Sequence, residues 1–287
     1  MPSPRLLVVE GNTAEARAKQ VAAGGTMLSE GYAEVLRWLL PDAVVDICYP
    51  ADTGANLPVG GLAGYDGVAI TGSALNVYDG GPAIERQIEL TREILNSKTP
   101  LFGSCWGLQL MTVAAGGAVR PNPKGREIGI GRRIALTPAG RDHPMYAGKG
   151  STFDAVTVHL DEVATLAPGT TVLAANAQSG VQAAELCHNG ALAWGVQYHP
   201  EFSLADIAVV IRRYGSLLVR EGFFADIAAR DAYTADLEAL GRAPDNKPLA
   251  WRNGIDETVL DASLRNAEIA NWLTRLVMPT RAARGRA

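Results

Sequence analysis

One stretch, Pro100 to Gly117 (PLFGSCWGLQLMTVAAGG), constrains this 287-residue chain more than any other. Its first half is apolar and as short as a buried strand, and it runs directly into Gly103-Ser104-Cys105-Trp106-Gly107. A helical pattern follows through Leu108, Leu110, Met111, Ala114 and Ala115, and Gly116-Gly117 stops it. A cysteine therefore stands on a sharp turn between strand and helix, with glycine two residues away on either side. Small neighbours permit a strained backbone there and let the side chain project from the sheet edge, the arrangement of a nucleophile elbow. The helix beginning at the turn aims its free N–H groups and positive dipole end at the sulfur, which favours a thiolate. The competing reading is a buried structural thiol, since free cysteine is among the most buried residue types. A nucleophilic cysteine needs a base, and the base needs an orienting group, so their presence decides between the two.

Both occur downstream. Ala191 to Phe202 (ALAWGVQYHPEF) reads as a strand whose end delivers His199, Pro200 and Glu201. A histidine and a carboxylate two apart, on an extended segment stiffened by proline, can turn an imidazole toward the thiol with the carboxylate behind it. Alone, His-Pro-Glu would be an ordinary turn; beside an elbow cysteine it completes a set. Of the four histidines in the chain, His199 is the one placed for the task, and His188, in His188-Asn189-Gly190, reads as a hairpin turn.

These residues carry a resemblance. Gly103-Ser-Cys105-Trp-Gly107-Leu-Gln109 with Gly116-Gly117, followed by Gly195-Val-Gln-Tyr-His199-Pro-Glu201-Phe, resembles the class I (triad) glutamine amidotransferases of the GMP-synthase-like kind, from about Arg5 to Phe202. The resemblance implies an α/β fold: a flavodoxin-like three-layer αβα arrangement with a mostly parallel central sheet. It implies a Cys105-His199-Glu201 triad acting on a γ-carboxamide, with no metal and no organic cofactor. It also implies an oxyanion hole from the backbone N–H groups of Ser73, in the turn Thr71-Gly72-Ser73, and of Trp106. The family commonly has a second glycine where this chain has Ser73. Gln109 matches the family glutamine that lines or braces the pocket. Arg126-Glu127-Ile128-Gly129 resembles the Arg-Glu-aromatic-Gly segment beside that pocket, with isoleucine in place of the aromatic, and can equally be a charged strand edge. His159 and Asp161, in a His-x-Asp-x-Val segment, read as structural or substrate-side rather than catalytic. Gly72, Gln109, Glu127, His159 and Asp161 are accordingly the substrate-side candidates.

Composition excludes other classes. A net charge of −4 argues against a basic nucleic-acid surface, and the one basic cluster, Arg281, Arg284 and Arg286, reads as a solvated, disordered tail. Three cysteines (Cys48, Cys105, Cys187) cannot all pair and show no metal-type spacing, so a reducing cytoplasm is expected. The apolar run Leu6 to Val9 is too short for a signal peptide, and no span approaches the length of a membrane helix.

In chain order, Arg5 to Glu10 reads as a strand and Ser29 as the N-cap of a helix whose apolar stripe is Tyr32, Val35, Leu36, Leu39 and Leu40. The long connection between them suits a substrate-side loop or short helix at the carboxyl edge of the sheet. Strands at Ala43–Tyr49 and Tyr65–Thr71 flank a Gly/Pro-rich loop, Ile84–Leu95 is amphipathic, and Ser203–Val219 is a closing helix. The family-like domain is set at residues 1–220. A C-terminal helical appendage, 221–287, comprises helices over Phe224–Leu240 and Asp256–Leu276 joined by a linker at 241–254. Its apolar stripes, Phe223, Phe224 and Ile227, then Ile269, Trp272, Leu273 and Leu276, must pack on the core or across a homodimer contact.

Three functions stay open: a glutaminase passing ammonia to a synthetase on another chain, a stand-alone hydrolase of γ-glutamyl amides or peptides, and a binding module without turnover. The intact Cys105, His199 and Glu201 disfavour the third. The substrate is glutamine or a γ-glutamyl amide; neither nucleic acid nor membrane is a partner.

Overall fold

The first strand carries the logic of the architecture. Along β1 (Arg5–Val9) every side chain from Leu6 to Val9 is buried, with Leu6 and Val8 in one hydrophobic cluster and Leu7 and Val9 in another. A strand buried on both faces needs helices on both sides. The computed structural model, which describes residues 2–55 and 61–286, supplies them. The part of the Gly/Pro-rich loop at 56–60 lies outside the described residues.

Four more strands run parallel to β1: β2 (Val44–Cys48), β3 (Gly67–Ile70), β4 (Leu101–Ser104) and β11 (Ala191–Val196). Four antiparallel strands extend that parallel part: β6 (Glu127–Leu136), β7 (Thr152–His159), β9 (Thr170–Ala175) and β10 (Ala183–His188). The spatial order is β2-β1-β3-β4-β11-β10-β9-β6-β7. A separate ribbon pairs β5 (Ala118–Pro121) with β8 (Asp161–Thr165). The sheet is thus the mostly parallel, flavodoxin-like one expected, carrying a β-rich wing that ends in β7.

One face is covered by α2 (Leu28–Leu39), whose Tyr32 and Leu36 are fully buried against Leu6 and Val8. The other is covered by α3 (Pro82–Ser97) and α4 (Trp106–Ala114). The long connection after β1 does contain a short helix, α1 (Ala14–Ala22), capped by the Thr13 hydroxyl. Ser29, by contrast, is not the N-cap of α2. That position is Met27, while the Ser29 amide inside the first turn donates to the buried carboxylate of Glu10 at 2.8 Å. A deeply buried acceptor outcompetes the local cap.

The closing helix is broken in two, α6 (Leu204–Tyr214) and α7 (Ser216–Arg220), at Gly215 with φ 60°. A short α5 (Pro138–Arg141) lies earlier, in the wing; after α7 come α8 (Ile227–Arg242) and α9 (Lys247–Asn253), which occupies the expected linker. The second expected appendage helix is a chain of short turns: α10 (Glu257–Leu260), α11 (Ala262–Arg265), α12 (Ala267–Trp272), a π-turn (Leu273–Val277) and α13 (Met278–Ala283). Ile269, Trp272, Leu273, Leu276 and Val277 join the cluster of Leu6 and Phe102, so this stripe packs on the core. Phe223 and Ile227 stay 39% and 42% exposed.

The basic end is a correction. Arg281 is buried and its Nε donates to Asp66 at 3.3 Å; Arg286 reaches the same carboxylate at 3.1 Å, and Arg284 donates to the Lys98 carbonyl at 2.7 Å. A buried carboxylate just before β3 holds two of the three cations that composition assigned to solvent, Arg281 and Arg286. No helix among the described residues is long and apolar enough to cross a membrane.

Trp272 provides a test of this docking. It is fully buried, 5.9 Å from the Phe102 ring, and a Cβ on Gly67 would come within 2.9 Å of its ring. Trp272→Ala should destabilise the chain by about 3–5 kcal/mol in denaturant unfolding, the range for large aromatic deletions in cores. A loss below about 1 kcal/mol would contradict the packing.

Candidate active site

β4 delivers Cys105 to the carboxyl edge of the sheet, and the turn into α4 is built on close contacts. A Cβ on Gly103 would lie 2.4 Å from the Gly107 carbonyl carbon, and one on Gly107 would lie 2.8 Å from the Ile70 oxygen. Only glycine at both positions lets the helix start directly over the strand. Cys105 itself has φ 50° and ψ −96°, outside the left-handed helical well, its amide tied to the Val196 carbonyl at 2.7 Å. Trp106 is the first residue of α4, so its N–H has no intrahelical acceptor and opens beside the sulfur.

β11 ends three residues before His199, whose amide is held by the Val156 carbonyl at 2.8 Å. Its ring stacks on Phe202 at 4.1 Å and lies against Gly72, where a Cβ would meet Cε1 at 2.6 Å. Nδ1 is 2.8 Å from Glu201 Oε1, and the buried Nε2 has no hydrogen-bond partner among the described residues. Burial alone would lower the pKa of this imidazole. The Glu201 charge and the neighbouring Cys105 thiol outweigh burial and push it up to about 10. The thiol lies 3.6 Å from the Val158 carbonyl.

The set extends further than the motif showed. Glu201 Oε2 accepts from the Ser104 hydroxyl at 2.9 Å, and that hydroxyl meets the buried Tyr32 hydroxyl at 3.3 Å. Sequence reasoning missed both residues. Ser104 sat inside the quoted motif as a small spacer, and Tyr32 as one apolar position of the α2 stripe. Trp106 is similarly fixed: its indole N–H donates to Gln87 at 2.9 Å, and Gln87 donates in turn to the Gly11 carbonyl. Ser73 follows β3, with its hydroxyl on the Gly11 carbonyl at 2.9 Å.

A cleft of about 260 Å³ opens at Cys105, walled by Ser73, Gln109, Arg126, His159, Asp161 and Tyr214 among others. Three of the five substrate-side candidates therefore face it: Gln109, His159 and Asp161. Gly72 instead backs His199, and Glu127 stands behind His159, with Oε2 at 2.9 Å from Nε2. The other His159 nitrogen faces the Asp161 carbonyl at 2.9 Å, so both ring nitrogens are engaged and the ring is a brace. Burial by itself would raise the Glu127 pKa, but hydrogen bonds from His159, Asn176 and Gln182 hold it below the usual range. Burial raises Asp161, partly offset by the Tyr78 hydroxyl donating at 2.9 Å. Arg126, the first residue of the Arg126-Glu127-Ile128-Gly129 segment, lies over the Tyr214 ring at 4.6 Å and is tied to Glu221 at 2.9 Å. No group of three or more metal-type side chains converges among the described residues.

This geometry can be set beside known proteins. The family model described as Glutamine amidotransferase class-I matches residues 43–211. A γ-glutamyl-L-1-hydroxyisopropylamide hydrolase from Pseudomonas sp is 36% identical, over 98% of this chain and 95% of its own length. A GMP synthase [glutamine-hydrolyzing] from Thermomicrobium roseum is 29% identical over 75% of this chain, which spans only 38% of that enzyme. The crystal structure of a glutamine amidotransferase from Thermotoga maritima is alike in fold, with a TM-score of 0.66 at 18% identity, covering 96% of this chain and 98% of the other. The chain belongs to the class-I glutamine amidotransferase family, and it is an enzyme that hydrolyses amides of the glutamine γ-carboxamide type.

Proposed function

We propose that the chain is a stand-alone hydrolase of γ-glutamyl amides, with Cys105 as nucleophile, His199 as acid and base, and Glu201 as orienting group. The observation that carries the assignment is the buried, unpartnered Nε2 of an imidazole fixed through Nδ1 to Glu201 and set beside the Cys105 thiol.

The thiolate attacks the γ-carbonyl carbon, and the oxyanion forms between the amides of Ser73 and Trp106, each such donor lowering the barrier by about 3 kcal/mol. The His199 imidazolium gives its proton to the amide nitrogen, the C–N bond breaks, and the amine leaves with glutamyl held as a thioester. Water then loses a proton to His199 and attacks the thioester, releasing glutamate and the thiol. Asp161, a carboxylate in the cleft wall, suits the glutamyl α-ammonium, and Gln109 and His159 line the same cleft. Ser104 and Tyr32 act through Glu201 and are positioning residues.

Likeness to the Pseudomonas amide hydrolase covers 98% of the chain and so takes in nearly all of residues 221–287, whereas the GMP synthase match covers three quarters of the chain. That favours independent hydrolysis over ammonia supply to a synthetase. Three unpaired cysteines suit a reducing cytoplasm. The test is amine or ammonia release by the isolated chain from glutamine and from a panel of γ-glutamyl amides. Turnover of the amides without a partner is expected. Activity on glutamine alone, appearing only after a synthetase is added, would overturn the stand-alone reading.

A further inference from the structure

Past Cys105 the surface hollow continues, and Ala74 and Tyr214 are common to the walls of its parts. On one side Tyr214 borders the cleft holding Arg126 and Asp161. It also borders a narrow neck of about 40 Å³ that reaches His199, and an open hollow of about 420 Å³ against α1. Arg213, next to Tyr214 at the end of α6, lines both the neck and the outer hollow, but not the cleft.

The chemistry orients a substrate across these spaces. The acyl group stays on the sulfur, so the glutamyl part occupies the cleft. The scissile nitrogen must lie within reach of His199, because His199 protonates it. Whatever that nitrogen carries therefore extends into the neck and toward Arg213. The cations around the hollow are otherwise matched: Arg126 pairs with Glu221 at 2.9 Å, and Lys19 with Glu15 at 2.7 Å. Arg213 forms no ion pair among the described residues. Its guanidinium is nevertheless held, with one N–H donated to Oε1 of the buried Gln20 of α1 at 2.9 Å. A tethered guanidinium with unused donors at the leaving-group end is a carboxylate reader.

We propose that Arg213 recognises a carboxylate on the departing amine, so that the preferred substrates are γ-glutamyl amino acids rather than γ-glutamyl derivatives of neutral amines. The inference rests on the hydrolase reading above and specifies its substrate class. The step is unchanged: the γ-carbonyl–nitrogen bond breaks, the His199 proton goes to nitrogen, and a free amino acid leaves.

γ-Glutamyl-alanine and γ-glutamyl-isopropylamide differ only by carboxylate for methyl, and kcat/KM for each should be measured with wild type and with Arg213→Gln. Wild type should prefer γ-glutamyl-alanine by at least about tenfold, and Arg213→Gln should shrink that ratio by about ten- to a hundredfold, mainly through KM. Arg213→Lys should restore part of the preference, and raising the salt concentration should weaken it in wild type, because Arg213 is exposed. Equal losses on both substrates, or a wild-type preference for the isopropylamide, would overturn the role of Arg213 while leaving the hydrolase reading intact. Failure of wild type to cleave either compound would overturn both.

Discussion

Cys105→Ala is expected to reduce amide hydrolysis at least a thousandfold while leaving the fold intact. Without the sulfur there is no thioester, and what remains is binding plus the two proposed oxyanion donors, which stay well short of the intact group. Residual turnover above about one thousandth of wild type in a purified sample would falsify the nucleophile assignment. The same position tests the backbone. A non-glycine residue at φ 50°, ψ −96° carries strain on the order of 1–3 kcal/mol, and alanine keeps the Cβ that causes it. Cys105→Gly should therefore be at least as stable as Cys105→Ala, although glycine ordinarily costs about 0.5–1 kcal/mol against alanine within an ordered element. A glycine variant clearly less stable than the alanine one would mean that the turn is relaxed, and that its geometry owes nothing to the chemistry.

Much of this site was legible because its signals are local. Gly103, Cys105 and Gly107 lie within five residues, and a strand, a tight turn and a helix leave their patterns in that order. His199 and Glu201 are two apart on one segment. What was not legible depends on residues far apart in the chain. The hydroxyl of Tyr32 serves Ser104 from 72 residues away, and a helical stripe shows which face is buried without naming the partner. Arg126 and Glu221 meet across 95 residues, tying a cleft wall to the start of the appendage. Charge counting could not see that Asp66 would bury Arg281, because composition records the cation and not the acceptor. The break at Gly215 and the π-turn at Leu273–Val277 interrupt patterns whose apolar spacing reads as continuous helix.

The second large effect separates the roles of His199 and Glu201. His199→Asn removes the imidazole that carries the proton and should cost about three powers of ten or more in kcat/KM. The other cleft histidine cannot replace it, since both His159 nitrogens are engaged by Glu127 and the Asp161 carbonyl. Inactivation by His159→Asn with His199→Asn still active would show the wrong base to have been chosen. Glu201→Gln should be milder, about ten- to a few hundredfold, because the imidazole that transfers the proton remains in place. Its distinguishing mark is in the pH profile. His199 is raised to about 10 against the lowering effect of burial, with the Glu201 charge the foremost raising influence. A group raised in this way stays protonated through neutral pH and loses its proton as pH climbs through the raised value. Since the leaving nitrogen needs that proton, wild-type kcat/KM should hold to near pH 10 and then fall. Glutamine at position 201 removes the anion and leaves burial unopposed by it, so the alkaline limb must move to lower pH. The limb reports the thiol–imidazole pair jointly, so the direction of movement is the test rather than a single residue's value. A limb that stays in place, or moves upward, would show that the Glu201 carboxylate does not govern the protonation of His199.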